Sequence, residues 1–442
     1  MSLMPQLAKW FRLGSEYLGA QLVIRATSAA GALLLVNVMP RSEYGIYTLL
    51  LANLAFLTSL SDFGATGSLL FFWRRARKRA YVFSAYLEAV VRLRKLLFGG
   101  STMIGATYLL YMVLNKNPGS VTIALSSIPM FLAAWYTIKA ATWVYVFRIE
   151  GKYRQSYVVE GVSEFVKLMS ALVLWWTGMV YGWAAIGGVF AGAFFSAQMA
   201  GIYVRKRDAK RQNHSARVAL RADLAVRAQT IPTIPWTLFF ALQGPFVAWL
   251  AATFGSVVNL AEVGALGRLG AILSIISGFT VSVLVPKLSH INDERQYLRY
   301  YLAWFGILFS IGSGILSLVW LWPNALLLLL GNQYNGLASE LFITSATAIV
   351  MTFEYFGGAV NRARGWMQGQ GLRIGFIAAG QIAILPFMDF SVTADLLLFG
   401  LGTALLAMIV QLGFNLAGLL RVHQVSVAII ALKQKDSKKG DE

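Results

Sequence analysis

No charged residue falls between Lys167 and Arg205, between Arg227 and Glu262, or between Arg299 and Glu340. A helix needs roughly 20 mainly apolar residues to cross a bilayer, and uncharged runs this long exceed what the core helices of a water-soluble domain require. Twelve spans are legible, at about 17–39, 44–72, 96–114, 121–147, 156–178, 180–204, 229–253, 257–286, 299–322, 338–360, 372–388 and 395–420. The expected fold is therefore all-α: a polytopic membrane protein with twelve transmembrane helices.

Charge sets the orientation. The chain is 57% hydrophobic, yet its formal net charge is +19. A balance this basic would otherwise suggest a nucleic-acid partner. Here the cations collect in every second gap between spans. Of the 38 lysines and arginines, 32 fall on one side of the twelve-span topology, and only Arg41 and Lys116 fall on the other. Under the positive-inside rule this predicts a bacterial inner (cytoplasmic) membrane protein with both termini in the cytoplasm. The clusters from Arg74 to Arg79 and from Arg205 to Arg211 then read as topology signals that contact anionic membrane lipids, with no nucleic acid involved.

Several function classes are excluded on residues alone. There is no cysteine, so thiol and disulfide chemistry is absent. The first apolar run is too long for a cleavable signal and is interrupted by Arg25. His214, His290 and His423 are scattered, which argues against a metal site. The outer loops are short, and no carboxylate pair or phosphate-cradling glycine loop marks a membrane surface. A membrane glycan polymerase or ligase is disfavoured, and the chain is read as a non-enzyme with no cofactor.

The chain divides into two halves of six spans. The expected organisation is an N-terminal six-helix lobe at 1–204, a basic cytoplasmic linker at 205–228, a C-terminal six-helix lobe at 229–425 and a cytoplasmic tail at 426–442. An internal echo supports this. Arg41-Ser42-Glu43-Tyr44-Gly45 opens the second span, and Leu260-Ala261-Glu262-Val263-Gly264 opens the eighth. Six spans per half means both halves enter from the same side, so the repeat is parallel.

Motifs in order along the chain sharpen the reading. Tyr44-Gly45-Ile46-Tyr47 is followed by an apolar run and Ser61-Asp62-Phe63-Gly64; later come Arg148-Ile149-Glu150-Gly151-Lys152-Tyr153-Arg154, the stretch from Val263-Gly264 to Pro286, and Gly331-Asn332-Gln333-Tyr334. This series resembles the polysaccharide-transporter, or O-antigen flippase, family of the multidrug/oligosaccharidyl-lipid/polysaccharide (MOP) exporter superfamily. The resemblance implies export of an undecaprenyl-pyrophosphate-linked oligosaccharide from the inner to the outer leaflet by alternating access. It also implies coupling to a proton or sodium gradient or to the membrane potential, and work beside a glycan polymerase and its chain-length machinery. The glycan and its anionic link cannot cross hydrocarbon unaided, because each buried polar group costs several kcal/mol. A multidrug extruder of the same superfamily is the alternative.

Four cations fall inside spans: Arg25, Lys139, Lys167 and Arg268. Such a residue near a helix centre costs about 3 kcal/mol or more, so it faces a cavity or a partner. By the resemblance these are the candidate pyrophosphate and glycan contacts, with Arg25 and Arg268 foremost because arginine binds phosphate oxygens in pairs. Ion pairing or snorkelling is the plainer role for each. Glu160, Glu164 and Lys167 lie on one helix face, which suggests an ion-coupling site or simple neutralisation of Lys167 by Glu164. Asp62, Glu88 and Glu354 are further coupling candidates. Trp135, Tyr136, Trp143, Tyr145 and Phe147 crowd the fourth span and are read mainly as packing. Pro245, in mid-span, is a candidate hinge.

The charge map predicts a labelling pattern. In this cysteine-free chain, single cysteines at Ser42, Asn117 and Asn335 should react with an impermeant thiol reagent applied outside intact cells. A cysteine at Asn213 should stay unlabelled; labelling there from outside would overturn the topology.

Overall fold

The computed structural model describes residues 3–76, 80–114, 120–208, 215–231, 234–280, 294–364 and 370–439. The linker residues 209–214, and the expected helix end at Pro286, lie outside them. The described chain is helical throughout. In the first half the helices are α1 (Leu3–Val38), α2 (Arg41–Leu60), α3 (Ala65–Ala76), α4 (Ala80–Leu114), α5 (Ser120–Ile149), α6 (Tyr153–Thr177) and α7 (Gly182–Asp208). Next come α8 (Ala216–Thr230), α9 (Ile234–Phe254), α10 (Val257–Phe279), α11 (Glu294–Leu321), the single turn α12 (Pro323–Leu327), α13 (Ala338–Arg364), α14 (Gln370–Ile384) and α15 (Thr393–Lys439).

The expected all-α polytopic membrane class holds among the described residues. Among the described residues nine helical stretches are long and apolar enough to cross a membrane on their own composition. The three further expected spans fall on α6, α10 and α14. α6 carries Glu160, Glu164 and Lys167, α10 reaches the edge of the described residues, and the apolar run of α14 is short, from Gly371 to Phe387.

The span expected at 44–72 is interrupted. α2 stops at Leu60 and α3 begins at Ala65. Phe63 and Gly64 both have positive φ, 40° and 78°, a conformation that breaks a right-handed helix. Asp62 then caps the new helix, its Oδ1 accepting from the Thr66 backbone N–H at 3.2 Å and from the Thr66 hydroxyl. A second departure concerns Arg92, Arg94 and Lys95, which the charge map places between spans; α4 runs straight through them from Ala80.

Packing divides the chain after Ala265, later than the basic linker. α8 and α9 belong with the first-half helices, because α8 packs on α3 and α4 and α9 packs on α2. Ala222 and Val226 of α8 join a buried cluster with Leu69 and Phe72 of α3, Phe83 and Val90 of α4, and Val146 of α5. Trp249 of α9 meets Phe56 of α2 edge-on, with ring centroids 4.8 Å apart. α9 continues through Pro245 without a break.

The two echoed motifs meet inside this first unit. Arg41 Nη1 lies 3.5 Å from Glu262 Oε1. Glu43 accepts a 2.7 Å hydrogen bond from the Gly182 N–H, so it places a carboxylate at the N-terminus of α7, where the helix dipole favours it. Gly45 packs directly beneath the Val257 carbonyl, and Gly264 packs against the Thr48 side chain. Neither position has space for a Cβ.

The second unit, from Leu266 onward, has its own core. Tyr301, Phe353, Phe356 and Val360 are buried together between α11 and α13, with Tyr301 stacked on Phe356 at 5.4 Å. Beside them runs a buried polar chain. Arg373 of α14 pairs with Glu354 of α13 and donates to Gln411 Oε1 of α15 at 2.6 Å. Gln411 is hydrogen-bonded to Asn415, and Asn415 to the Tyr301 hydroxyl, each at 2.9 Å.

Gly45→Ala and Gly264→Ala should each lower the melting temperature of the purified protein, since overpacking costs about 1–3 kcal/mol. Gly99→Ala, where a Cβ meets nothing within 4 Å, should leave it unchanged or raise it. Equal melting for all three variants would show that the α2–α10 approach is not this close.

Candidate functional site

A cavity of about 470 Å³ opens in the first unit among α3, α4, α5, α6 and α7. Six charged side chains line it: Asp62, Arg94, Arg148, Glu160, Glu164 and Lys167. Their positions follow from local structure. The break after α2 swings Asp62 out of the helix and into the cavity wall. Arg94 comes from the part of α4 that the charge map reads as a gap. Arg148 is the last basic residue of α5, just before the turn at Gly151, which has a positive φ of 76°. Glu160, Glu164 and Lys167 form one face of α6.

These six groups make three ion pairs. Arg94 Nε lies 3.2 Å from Asp62 Oδ1, and its Nη1 donates to the Ile138 carbonyl at 3.3 Å and to the Thr142 hydroxyl. Arg148 Nη2 donates to both oxygens of Glu160 at 2.7 Å, and Gln21 of α1 adds a 3.2 Å hydrogen bond to the same carboxylate. Lys167 Nζ donates to Glu164 Oε1 at 2.7 Å. In the last two pairs the cation is the more open partner. Side-chain exposure is 35% for Arg148 against 29% for Glu160, and 34% for Lys167 against 19% for Glu164. Hydroxyls of Thr66, Thr137, Tyr145, Ser163 and Ser196 supply uncharged donors and acceptors around them.

The position of Lys167 depends on a glycine. A Cβ added to Gly192 of α7 would fall 2.8 Å from the Ser163 carbonyl oxygen and 2.9 Å from Lys167 Cγ. The bare backbone of α7 therefore leaves the lysine stem its path along α6.

The sequence-derived candidates separate clearly. Lys167, Glu160, Glu164 and Asp62 come together in this cavity. Arg25 and Lys139 do not line it; both are exposed, on α1 and α5. Arg268 is half-buried on α10 in the second unit, and Glu354 is held by Arg373 in the same unit. Glu88 sits 3.8 Å from Arg92, outside the cavity. Of the crowded aromatics on α5, Tyr145 reaches the cavity, while Trp135 packs on Phe98, Tyr136 on Phe194 and Phe147 on Tyr203. Arg94 and Arg148 line the cavity without being candidates from the sequence, because the charge map counts both as topology cations. The signal for Arg148 was its place at the end of an apolar run, two residues before Glu150.

No protein-family model and no curated protein sequence matches this chain. Solved structures do match its fold. The chain superposes on an inward-facing multidrug resistance MATE family transporter of the MOP superfamily with a TM-score of 0.64, at 13% identity, covering 91% of this chain and 95% of that one. The outward-facing form of such a transporter gives 0.62 at 14% identity, covering 92% and 94%. A Vibrio cholerae MATE transporter gives 0.53 at 15% identity, covering 93% and 96%. The fold is that of the MATE transporters of the MOP superfamily. The protein is thus a polytopic membrane protein with a transporter fold.

Removing one member of a half-buried pair strands its partner. Arg148→Gln and Glu160→Gln should each cost on the order of 1 kcal/mol of stability, less than a fully buried pair would because both side chains are about a third exposed. The double variant should be clearly more stable than the sum of the two losses, because neither charge is then stranded. Additive losses in thermal or denaturant unfolding would show that the two groups do not interact.

Proposed function

We propose that this protein carries a lipid-linked oligosaccharide with an anionic pyrophosphate link from the inner to the outer leaflet of the cytoplasmic membrane. The observation that carries this reading is the charge arrangement of the cavity. Every carboxylate lining it is held by a cation, and in two of the three pairs the cation is the more exposed partner. A cationic drug needs an acid left free to receive it. An anionic headgroup needs the reverse: cations that keep their charge and turn toward the opening. Arg148 and Lys167 meet that need, and the surrounding hydroxyls suit a sugar.

Arg25 and Arg268, both charged inside expected spans, are further candidate contacts for the anionic link. Arg25 is exposed within the apolar stretch of α1 from Gly19 to Val38, where its charge is costly unless a polar cargo or water meets it. The multidrug reading draws on the descriptions of the structural neighbours themselves, and on Glu164 or Glu160 as a proton site once its cation lets go. In the flippase reading the same release supplies the coupling step. Lys167 leaves Glu164 for the headgroup, and Glu164 takes a proton or sodium ion.

The two readings differ in what fails. Lys167→Ala, Arg25→Ala and Arg268→Ala should abolish or strongly reduce surface glycan export at unchanged membrane abundance, with Arg25→Lys and Arg268→Lys recovering it only in part. Susceptibility to cationic drugs and dyes should not change. Wild-type glycan export in all three alanine variants, or dye efflux that depends on Glu164, would overturn the flippase reading in favour of drug extrusion. Glu164→Gln should weaken export without lowering abundance, and unchanged export in a stable variant would remove α6 from the coupling step.

A further inference from the structure

α8 is bound to the first unit along one face only. Ala222, Val226 and Thr230 are buried against it, and Arg92 of α4 clamps Asp223 with two hydrogen bonds, of 3.0 and 3.1 Å. The opposite face carries Arg217, Leu220, Arg221, Leu224, Arg227 and Ile231, spaced three or four residues apart, so they form a single stripe. Leu220, Leu224 and Ile231 are 62%, 60% and 59% exposed. Among the described residues none of the three arginines has a carboxylate partner. The stripe is thus both greasy and cationic, and no described residue of the first unit covers it.

We infer that this stripe is a docking surface for the anionic phospholipid headgroups of the cytoplasmic leaflet, with α8 lying in the membrane interface. Two facts select lipid as the occupant. The chain enters α8 from the span α7 and leaves it into the span α9, so the helix is held at the membrane boundary on the side that the charge map assigns to the cytoplasm. The alternation of arginine and aliphatic side chains matches that boundary: leucines reach the acyl region while guanidinium groups meet phosphates. A water-facing linker helix gains nothing from three exposed aliphatic side chains. A protein partner would be expected to bury the arginines against acids, whereas a lipid surface supplies phosphate at any position along the stripe. The clamp from Arg92 to Asp223 then couples the lipid-bound helix to α4, the helix that also delivers Arg94 to the cavity.

The test uses the full-length protein with Leu224→Cys as its one thiol, labelled with a polarity-sensitive fluorophore and reconstituted into nanodiscs of phosphatidylcholine with or without phosphatidylglycerol. Phosphatidylglycerol should shift the probe toward quenching by shallow nitroxide lipids and away from quenching by aqueous iodide, and high salt should reverse the shift. With Arg217→Gln, Arg221→Gln and Arg227→Gln combined, the apparent affinity for added phosphatidylglycerol should fall roughly a hundredfold. The melting temperature of that variant reports whether α8 stays docked through Asp223. If it drops, Leu220→Gln with Leu224→Gln in a protein labelled at Ala228→Cys repeats the test with all arginines present, and loss of nitroxide quenching is expected. Equal iodide quenching with and without phosphatidylglycerol would overturn the proposal. So would a probe already shielded in lipid-free detergent, which would mean that protein covers the stripe.

Discussion

An ionised side chain inside hydrocarbon must be compensated, and the polar architecture of this protein follows from that constraint. A charge stranded at the centre of a span costs about 3 kcal/mol or more, comparable to a large part of a membrane protein's margin of stability. The chain answers by tying helices together through their charges. Asp62 and Arg94 join the break after α2 to α4, while Arg148 and Glu160 join α5 to α6, with Gln21 drawing in α1. In the second unit Arg373 gathers α13 and α15 around α14 through Glu354 and Gln411. Two such ties, together with the Glu164–Lys167 pair within α6, line the cavity of the first unit, and their polar atoms keep it from closing on itself.

The backbone adjusts to deliver these groups. Asp62 faces Arg94 because the helix is broken at Phe63 and Gly64, and a non-glycine residue at positive φ is itself unfavourable. Lys167 keeps its path because Gly192 has no side chain. Bare backbone serves the same purpose at Gly45 and Gly264, where two helices approach too closely for any Cβ. These positions give up helix propensity to gain proximity.

What the sequence reveals and what it hides follow from the range of each interaction. Apolar spans are local properties of hydropathy, so they are legible; the division of packing after Ala265 rests on contacts between helices and is not. The Glu164–Lys167 pair is legible because three residues make almost one helical turn. Pairs between helices are not. Glu354 has no cation within a helical turn of it in the sequence, and its partner is Arg373 at the entrance of the following helix. Arg94 and Arg148 were hidden in the same way. Charge density marks which side of the membrane a segment is on; it does not say where a helix ends, and α4 passes through Arg92, Arg94 and Lys95 without interruption. The break at 61–64 was invisible because Asp-Phe-Gly sits between two apolar runs that read as one. The echo at Glu43-Tyr44-Gly45 and Glu262-Val263-Gly264 gains its meaning from the structure, since the two segments touch.

The pairing in the cavity has an electrical consequence. Asp62, Glu160 and Glu164 against Arg94, Arg148 and Lys167 leave its lining with no net formal charge. Each uncompensated charge carried across a membrane potential exchanges about 2.3 kcal/mol of work per 100 mV. In the transport cycle proposed above, an empty cavity of this kind would change sides without electrical work, and the resting voltage would neither drive nor hold its return. The current of each proposed turnover would then be set by the charge of the cargo and of any ion that replaces a broken pair.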